Sequence, residues 1–300
     1  MSERDYIVAG HRFSIVMEDD SFIWSMMSGC YGPFQTEKSS DADYIFRLQL
    51  VSAFDPGPLK EVYSNRDNPK PGFVVLTVCK SSEGHYFEFR QPYSDETNGR
   101  LIISYDFRYA RLALSGSDLE IWQTFNTAVN FCYMLASTCR DTLLSHSSAV
   151  SYKGKAYIFL GKSGTGKSTH SRMWLSALDG VELMNDDHPV LRVRDDGIVT
   201  VYGSPWSGKT PCYKNVSSQL GGIIRIRQAA ANSIRRLSAI ESYASLMTSC
   251  SGMTWEKELA DAKDSTLQKI ISSVPCWTLD CLPDKEAAIL CSKAVCDNID

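Results

Sequence analysis

The fold of this chain is decided by the stretch GKSGTGKS, Gly161–Ser168, which fits the pattern G-x-x-x-x-G-K-[ST] at every fixed position. The apolar run Lys155–Leu160 before it predicts a strand, and helical spacing follows from Thr169 to Leu178. A strand, a glycine-rich turn and a helix in this order bring backbone N–H groups and a helix N-terminus to one point, where they attract phosphate. We therefore expect the loop to bind the phosphates of a nucleoside triphosphate, ATP with Mg²⁺. The alternative is a glycine-rich turn without a ligand.

Two side chains of the loop are expected to contact the ligand directly. We expect Lys167 to reach the β- and γ-phosphates and the hydroxyl of Ser168 to bind Mg²⁺. The expected nucleotide-binding residues are Gly161, Ser163, Gly164, Thr165, Gly166, Lys167, Ser168 and Thr169.

An acidic pair, Asp186 and Asp187, follows one helix and one short predicted strand, Val181–Met184, after the loop. Ligands gather at the carboxyl ends of strands in open α/β sheets, so we expect the pair to reach Mg²⁺ and the γ-phosphate. Neighbouring side chains on an extended chain point in different directions. One carboxylate could hold metal while the other takes a proton from an attacking hydroxyl. The alternative is a polar turn before Pro189.

Three histidines lie near these motifs in the sequence. His146 stands at the start of the strand pair that leads into the loop, where it is either a hydrogen-bonded structural residue or part of the catalytic site. His170 and His188 follow the loop and the acidic pair closely, and a role for each is left open.

A second stretch, GSPWSGKT at Gly203–Thr210, fits the same pattern. Pro205 removes a backbone donor, Trp206 adds bulk where a loop would contact phosphate, and Pro211 follows directly. We favour a mobile lid or substrate loop in which Lys209 faces the transferred phosphate. A second nucleotide site and a plain structural loop are the alternatives.

Before these motifs, the first third of the chain alternates short apolar runs with turn residues, which predicts an antiparallel sheet. The predicted strands are Arg12–Met17, Tyr44–Leu50, Phe73–Cys79, His85–Arg90 and Leu101–Tyr105. Helical spacing from Asp118 to about Arg140 predicts a long amphipathic helix at the domain junction. We therefore divide the chain into a β-rich domain, 1–116, with no assigned role, and a P-loop nucleotide-binding α/β domain, 117–300. The fold class is α/β, or α+β overall.

The second domain mixes strands and helices. Further strands are predicted at Ser147–Tyr152 and in a hairpin of Val190–Val193 with Ile198–Tyr202, and further helices at Ser238–Met247, Glu256–Ile271 and Asp284–Asn298.

Composition excludes several function classes. The 300 residues are 43% hydrophobic and 22% charged, as in ordinary globular proteins. A net charge of −4, spread evenly, argues against nucleic acid as a partner. The one basic cluster, Arg225–Arg236, is either a solvated helix face or a surface for phosphates or an acidic partner. No apolar run is long enough for a membrane helix, and the N-terminus does not resemble a signal peptide. We expect a cytoplasmic protein without a membrane partner and with reduced core cysteines, and a homo-oligomer is compatible with the sequence.

The run from His146 to Pro189 resembles the nucleotide-binding core of bacterial HPr kinase/phosphorylase. That core has a histidine ahead of a strand, a G-x-x-G-x-G-K-S loop and an acidic pair about twenty residues later. The loop and Asn185-Asp186-Asp187 are also similar to the kinase loop and the Gly-Asp-Asp segment of ATP-dependent phosphoenolpyruvate carboxykinase. The resemblance implies an HPr-kinase-like P-loop fold, with Asp186 as general base or acid, Asp187 as metal or water partner and His146 in the active site. It covers roughly residues 140–230 and includes neither the kinase/phosphorylase N-terminal domain nor its later signature segment.

Two function hypotheses follow. The first is an ATP- and Mg²⁺-dependent kinase that phosphorylates a hydroxyl on a protein, peptide or small molecule, with Lys167 and Asp186 as the main catalytic residues. The second is a nucleotide-binding regulatory switch, or a weak ATPase, without an acceptor. A decarboxylating carboxykinase is a third and weaker hypothesis.

Overall fold

The computed structural model of the chain describes residues 1–39, 43–69, 73–208, 210–253 and 255–296. The fold is mixed α/β. The chain divides into two compact units, Met1–Ser137 with Met253–Lys257, and Thr138–Gly252 with Glu258–Asp300. Among the described residues, each unit contains one nine-stranded sheet. None of the helices in these ranges has the length and apolar character that a membrane crossing requires.

The first unit is a mixed sheet with two helices. Its strands are β1 Ser2–Val8, β2 His11–Met17, β3 Gln35–Thr36, β4 Tyr44–Leu50, β5 Lys60–Ser64, β6 Val75–Lys80, β7 Gly84–Arg90, β8 Gly99–Ser104 and β9 Tyr109–Leu114, and its helices are α1 Phe22–Cys30 and α2 Asp118–Thr138. The strand order is β3-β1-β2-β4-β9-β8-β7-β6-β5. The expectation of an antiparallel sheet is wrong at two positions, because β4 pairs in parallel with both β2 and β9. Helix α1 lies in the long connection from β2 to β4, and such a crossover is what parallel pairing needs.

Helix α2 packs on the sheet of the first unit. The hydroxyl of Tyr133 donates to the carbonyl of Val8 at 3.0 Å, and Phe131 makes edge-on ring contacts with Phe87 and Phe89. The buried apolar face of α2 is therefore part of this core. The long first segment of this unit accordingly ends at Ser137 and includes nearly all of α2, whereas the sequence predicts a domain boundary before this helix, at residue 116.

The second unit contains nine strands and four helices among its described residues. The strands are β10 Thr142–Leu144, β11 Ser147–Tyr152, β12 Lys155–Leu160, β13 Glu182–Asp187, β14 Val190–Val193, β15 Val199–Tyr202, β16 Ser217–Gln228, β17 Ser233–Arg236 and β18 Cys276–Cys281, and the helices are α3 Lys167–Ala177, α4 Ala239–Met247, α5 Lys257–Ser273 and α6 Lys285–Cys296. The predicted strands β11, β12 and β14 have the expected bounds.

The basic cluster Arg225–Arg236 is not a helix face, because its residues lie in β16, in β17 and in the turn between them.

Helices cover both faces of the second sheet. Tyr157 and Phe159 pack with Trp174 of α3 and with α6, whereas Ile158 belongs to the core beneath α4 and α5. Successive side chains of a strand point to opposite faces, so a strand covered on both faces must be apolar throughout. This explains the continuous apolar run that ends at Leu160.

The strands β12, β13, β16 and β18 of this sheet run in the same direction. β12 pairs in parallel with β16, and β16 in parallel with β18. β11 is antiparallel to both β12 and β13, so β13 also runs with β12. The last residues of β12, β13, β16 and β18 therefore meet at one edge, which we call the carboxyl edge. The first residue of β11 lies at the same edge.

Candidate functional site

The loop Gly161–Ser168 joins β12 to α3 at the carboxyl edge, as its sequence predicts. Gly164 and Gly166 have φ values of 80° and 106°, a backbone region that glycine adopts most easily. Helix α3 follows Gly166 directly, and no side chain caps its first N–H groups. These donors are therefore available to an anion at the helix N-terminus.

Lys167 is the first residue of α3 and is buried, with 8% of its surface exposed. Its Nζ donates to the carbonyl of Gly161 at 3.0 Å, across the mouth of the loop. Burial lowers the pKa of Lys167, and the charges of Asp187 and Asp186 oppose this shift. The ammonium group is thus placed between the phosphate loop and the acidic pair.

The acidic pair forms the end of β13, opposite the first residues of β11. Asp187 is paired with Ser147, and Asp186 with Ser148. The strand extends to Asp187, so the predicted strand Val181–Met184 ended too early, and the alternative of a polar turn at the pair is wrong. No local signal predicts this extension, because polar residues at a strand end resemble a turn.

Two histidines hold the carboxylate of Asp187. His188 Nδ1 lies 3.0 Å from one of its oxygens, and His146 Nε2 lies 3.5 Å from the other. Burial raises the pKa of Asp187, but the hydrogen bond and charge of His188, with His146 and Lys167, outweigh it and leave this pKa below its usual value. Burial, Lys167 and His188 lower the pKa of His146 against the opposing charge of Asp187. Asp187 is therefore ionised, and His146 is its neighbour rather than an isolated residue.

Asp186 has a different environment. It is 4% exposed, and its carboxylate makes no hydrogen bond with another residue of the described ranges. Its backbone carbonyl accepts from the N–H of Gly208 at 2.6 Å and from the hydroxyl of Ser207 at 3.4 Å. The backbone of Asp186 is thus held by the stretch Gly203–Thr210, and its buried carboxylate has no hydrogen-bond partner in the described ranges.

The second glycine-lysine stretch supports the acidic pair. The side-chain amide nitrogen of Asn185 lies within 3.5 Å of oxygen acceptors on Ser204, Trp206 and Cys212. Trp206 is buried, and no helix follows the stretch. A phosphate loop of the kind at Gly161–Ser168 is therefore absent from its described residues. Lys209, on which the lid hypothesis depends, lies outside the described residues.

His170 has a structural environment on the buried side of α3. Its Nε2 accepts from Trp174 Nε1 at 3.0 Å, and its ring meets the ring of Phe159 edge-on at 4.8 Å. Burial lowers the pKa of His170 to about 4. The histidine is therefore neutral in the folded chain and serves as a hydrogen-bond acceptor.

Acid is expected to destabilise the chain through His170. The folded-state pKa is about 4 and the unfolded value is 6.5, so the stability contributed by the neutral form is complete above pH 6.5 and is lost as the pH falls towards 4. The full loss is about 3 kcal/mol. Urea unfolding between pH 7.5 and 4.5 measures it. The variant His170→Gln, which keeps an acceptor for Trp174, should lose clearly less stability over this range; an unchanged pH dependence would contradict the assignment.

A cavity of about 340 Å³ adjoins the second half of the loop. Its walls come from the loop and the first turn of α3 on one side and from the ends of β16 and β18 with the residues after them on the other. The lining residues are Gly164, Thr165, Gly166, Thr169, His170, Ile226, Gln228, Ala229, Cys281, Leu282 and Pro283. The amide of Gln228 donates to the carbonyls of Gly164 and Thr165 at 3.4 Å. A cavity whose walls combine apolar side chains with polar ones, among them the Gln228 amide, suits the base of a nucleotide. The cavity residues from Ile226 to Pro283 are not predicted from the sequence, because only the parallel pairing of distant strands brings them to the loop.

The residues that could hold Mg²⁺ are the hydroxyl of Ser168 and the carboxylate of Asp187. Within the described ranges, no three His, Cys, Asp or Glu side chains form a cluster suited to a metal. Mg²⁺ commonly takes one or two protein carboxylates and completes its coordination with substrate phosphates and water. An ionised, partly exposed carboxylate beside a phosphate loop fits an ion that arrives with the nucleotide.

The structure thus brings together Lys167, the acidic pair and His146 at the carboxyl edge, and leaves His170 in the core. Comparison of the chain with models of known protein families and with curated proteins found no match.

Proposed function

We propose that the chain is an ATP- and Mg²⁺-dependent phosphotransferase that phosphorylates a hydroxyl group on an acceptor. The observation that carries this proposal is the meeting of the phosphate loop, with its lysine, and two carboxylates at one sheet edge. A nucleotide-binding module needs the loop alone. Transfer to a hydroxyl also needs a general base. The buried carboxylate of Asp186, which has no hydrogen-bond partner in the described ranges, can take this role.

In this mechanism the loop N–H groups and the N-terminus of α3 hold the phosphates. Mg²⁺, bound with the nucleotide beside Ser168 and Asp187, would neutralise part of the phosphate charge. Lys167 exchanges its bond with Gly161 for one with the γ-phosphate. The acceptor oxygen then forms a bond with the γ-phosphorus while the bond from that phosphorus to the bridging oxygen breaks. Asp186 takes the hydroxyl proton, and ADP leaves.

His146 and His188 act through Asp187. By holding its two oxygens they fix the direction of the carboxylate and keep it ionised. This arrangement supports Asp187 as the metal partner and Asp186 as the base, the same division that the resemblance to HPr kinase/phosphorylase implies. The cytoplasm, where ATP is abundant and thiols stay reduced, suits the proposal.

The test is transfer of label from γ-labelled ATP to a panel of hydroxyl acceptors, with Mg²⁺, for the wild type and Lys167→Ala. The proposal expects a labelled acceptor with the wild type alone. Slow release of the label as inorganic phosphate, with every acceptor unlabelled, would favour the weak ATPase or regulatory switch instead.

Asp187→Asn is expected to raise the Mg²⁺ concentration that gives half-maximal turnover by about tenfold, because a neutral amide is a poorer ligand for a hard cation. The measurement is turnover against Mg²⁺ concentration at fixed ATP. Asp195→Asn, in the exposed hairpin turn between β14 and β15, is the control and should not change the requirement. A loss of turnover that is equal at all Mg²⁺ concentrations would contradict the metal role.

A further inference from the structure

A second cavity, of about 200 Å³, adjoins the first half of the phosphate loop. It touches Leu160, Gly161 and Lys162. The cavity of about 340 Å³ described above, which suits the nucleoside, begins at Gly164. Its remaining walls are His146, Arg225 near the end of β16, Ser245 in the last turn of α4, and Thr248 and Ser249 directly after this helix. A molecule in this cavity would therefore contact the loop at the opposite end from the nucleoside.

The cavity has the charge of an anion site. The cations Lys162 and Arg225 line it, and no carboxylate does. Within the described ranges Arg225 has no carboxylate partner, and its Nη1 donates to the hydroxyl of Ser245 at 3.4 Å. Arg227, two residues along the same strand, instead pairs with Asp280 at 3.2 Å. A guanidinium without an acidic partner in a cavity wall offers paired N–H donors that match a carboxylate.

The hydroxyl groups of the cavity favour a ligand that also donates hydrogen bonds. Thr248 donates its proton to the carbonyls of Ala244 and Ser245, and Ser249 donates to that of Ser245. Because each proton is already used inside α4, these hydroxyl oxygens can only accept. They would accept from an O–H or N–H group of the ligand other than the reacting hydroxyl, while Arg225 holds its anionic group.

The cavity also adjoins the site of transfer. His146, in its wall, lies 3.5 Å from Asp187, and the carbonyl of Gly161 accepts from Lys167. Its volume is below the roughly 300–1,000 Å³ of sites for drug-sized ligands, so it suits a molecule of a few carbon atoms.

We propose that this cavity binds a small hydroxy acid, with its carboxylate on Arg225 and its hydroxyl towards the acidic pair. Resting on the proposed function, this molecule is the phosphate acceptor. The reaction forms a phosphate ester at the hydroxyl and breaks the β–γ bond of ATP, and the hydroxyl proton goes to Asp186.

The test measures binding to the full chain loaded with Mg²⁺ and a non-hydrolysable ATP analogue, by ligand-observed NMR. The probes are glycerate and lactate, with glyceramide and lactamide as neutral matches. We expect both acids to bind at least tenfold more tightly than their amides. Arg225→Met should weaken the acids by about 10–100-fold, the loss expected for a charged hydrogen bond, and Arg227→Met should not. The affinity of Arg225→Met for the ATP analogue should equal that of the wild type.

Equal affinity for acids and amides, or acid binding that Arg225→Met leaves unchanged, would overturn the hydroxy-acid site. Weakened ATP-analogue binding in Arg225→Met would overturn it too, because the cavity would then belong to the nucleotide. Parallel samples that contain labelled ATP in place of the analogue separate the two proposals. Acid binding through Arg225 without a phosphorylated product supports the hydroxy-acid site and contradicts the phosphotransferase.

Discussion

Lys167→Ala is expected to reduce ATP turnover by on the order of 10²-fold or more, because it removes a charged contact that strengthens as charge develops in the transition state. The fold should survive. In the structure the Nζ of Lys167 bonds one loop carbonyl, and the loss of one hydrogen bond costs about 1 kcal/mol. Turnover and thermal unfolding measured on the same preparation separate the two effects.

Lys285→Ala is the matched control for this variant. Lys285 is the first residue of α6, as Lys167 is of α3, but it is exposed. Its replacement should change neither turnover nor stability. Undiminished turnover in folded Lys167→Ala would show that nucleotide chemistry does not take place at this loop.

Asp186→Asn is expected to reduce phosphoryl transfer by about 10²–10⁴-fold while binding of Mg·ATP is retained. The amide keeps the shape of the side chain but cannot take the proton of the acceptor hydroxyl. The hydrogen bonds that fix residue 186 come from Gly208 and Ser207 to its backbone carbonyl, so the substitution leaves them in place. Transfer rate and nucleotide affinity, compared in the wild type, Asp186→Asn and Asp187→Asn, measure the effect.

The two carboxylates should differ in this comparison. Asp187→Asn should respond to added Mg²⁺, and Asp186→Asn should not. If the pattern is reversed, the two roles are exchanged between neighbours. If neither variant changes transfer, the pair is structural and the weak ATPase or switch becomes the better account.

Local signals in the sequence predict the part of the fold that surrounds the loop. The strands β11 and β12 form a hairpin whose turn, Lys153-Gly154, is short and whose apolar runs are complete. The loop and α3 follow immediately, so no distant contact is needed to place them. The same holds for the hairpin of β14 and β15.

Strand β16 illustrates what local signals miss. Gly221 and Gly222 interrupt its pattern and suggest a turn, but the structure uses them for close packing. A Cβ on Gly222 would lie 2.9 Å from the ring of Trp277, and one on Gly221 would lie 3.0 Å from Lys155. These partners are distant in sequence, so the glycines cannot be interpreted before the sheet is known.

Some residues of the candidate site can be predicted from local sequence, and others cannot. The loop and the acidic pair carry their chemistry in adjacent residues, and both were predicted. The other features of the site depend on which strands are neighbours. They are the hydrogen bonds of the Asn185 amide, the contact of His188 with Asp187, and the cavity residues Gln228 and Arg225. No spacing in the sequence specifies that order.

The most direct test of the central claim is a crystal structure of the chain with Mg²⁺ and a non-hydrolysable ATP analogue. We expect the triphosphate on the loop Gly161–Ser168, with Lys167 Nζ about 3 Å from a γ-phosphate oxygen and the γ-phosphate facing Asp186. A triphosphate bound at Gly203–Thr210, or a γ-phosphate that points away from Asp186, would contradict the account.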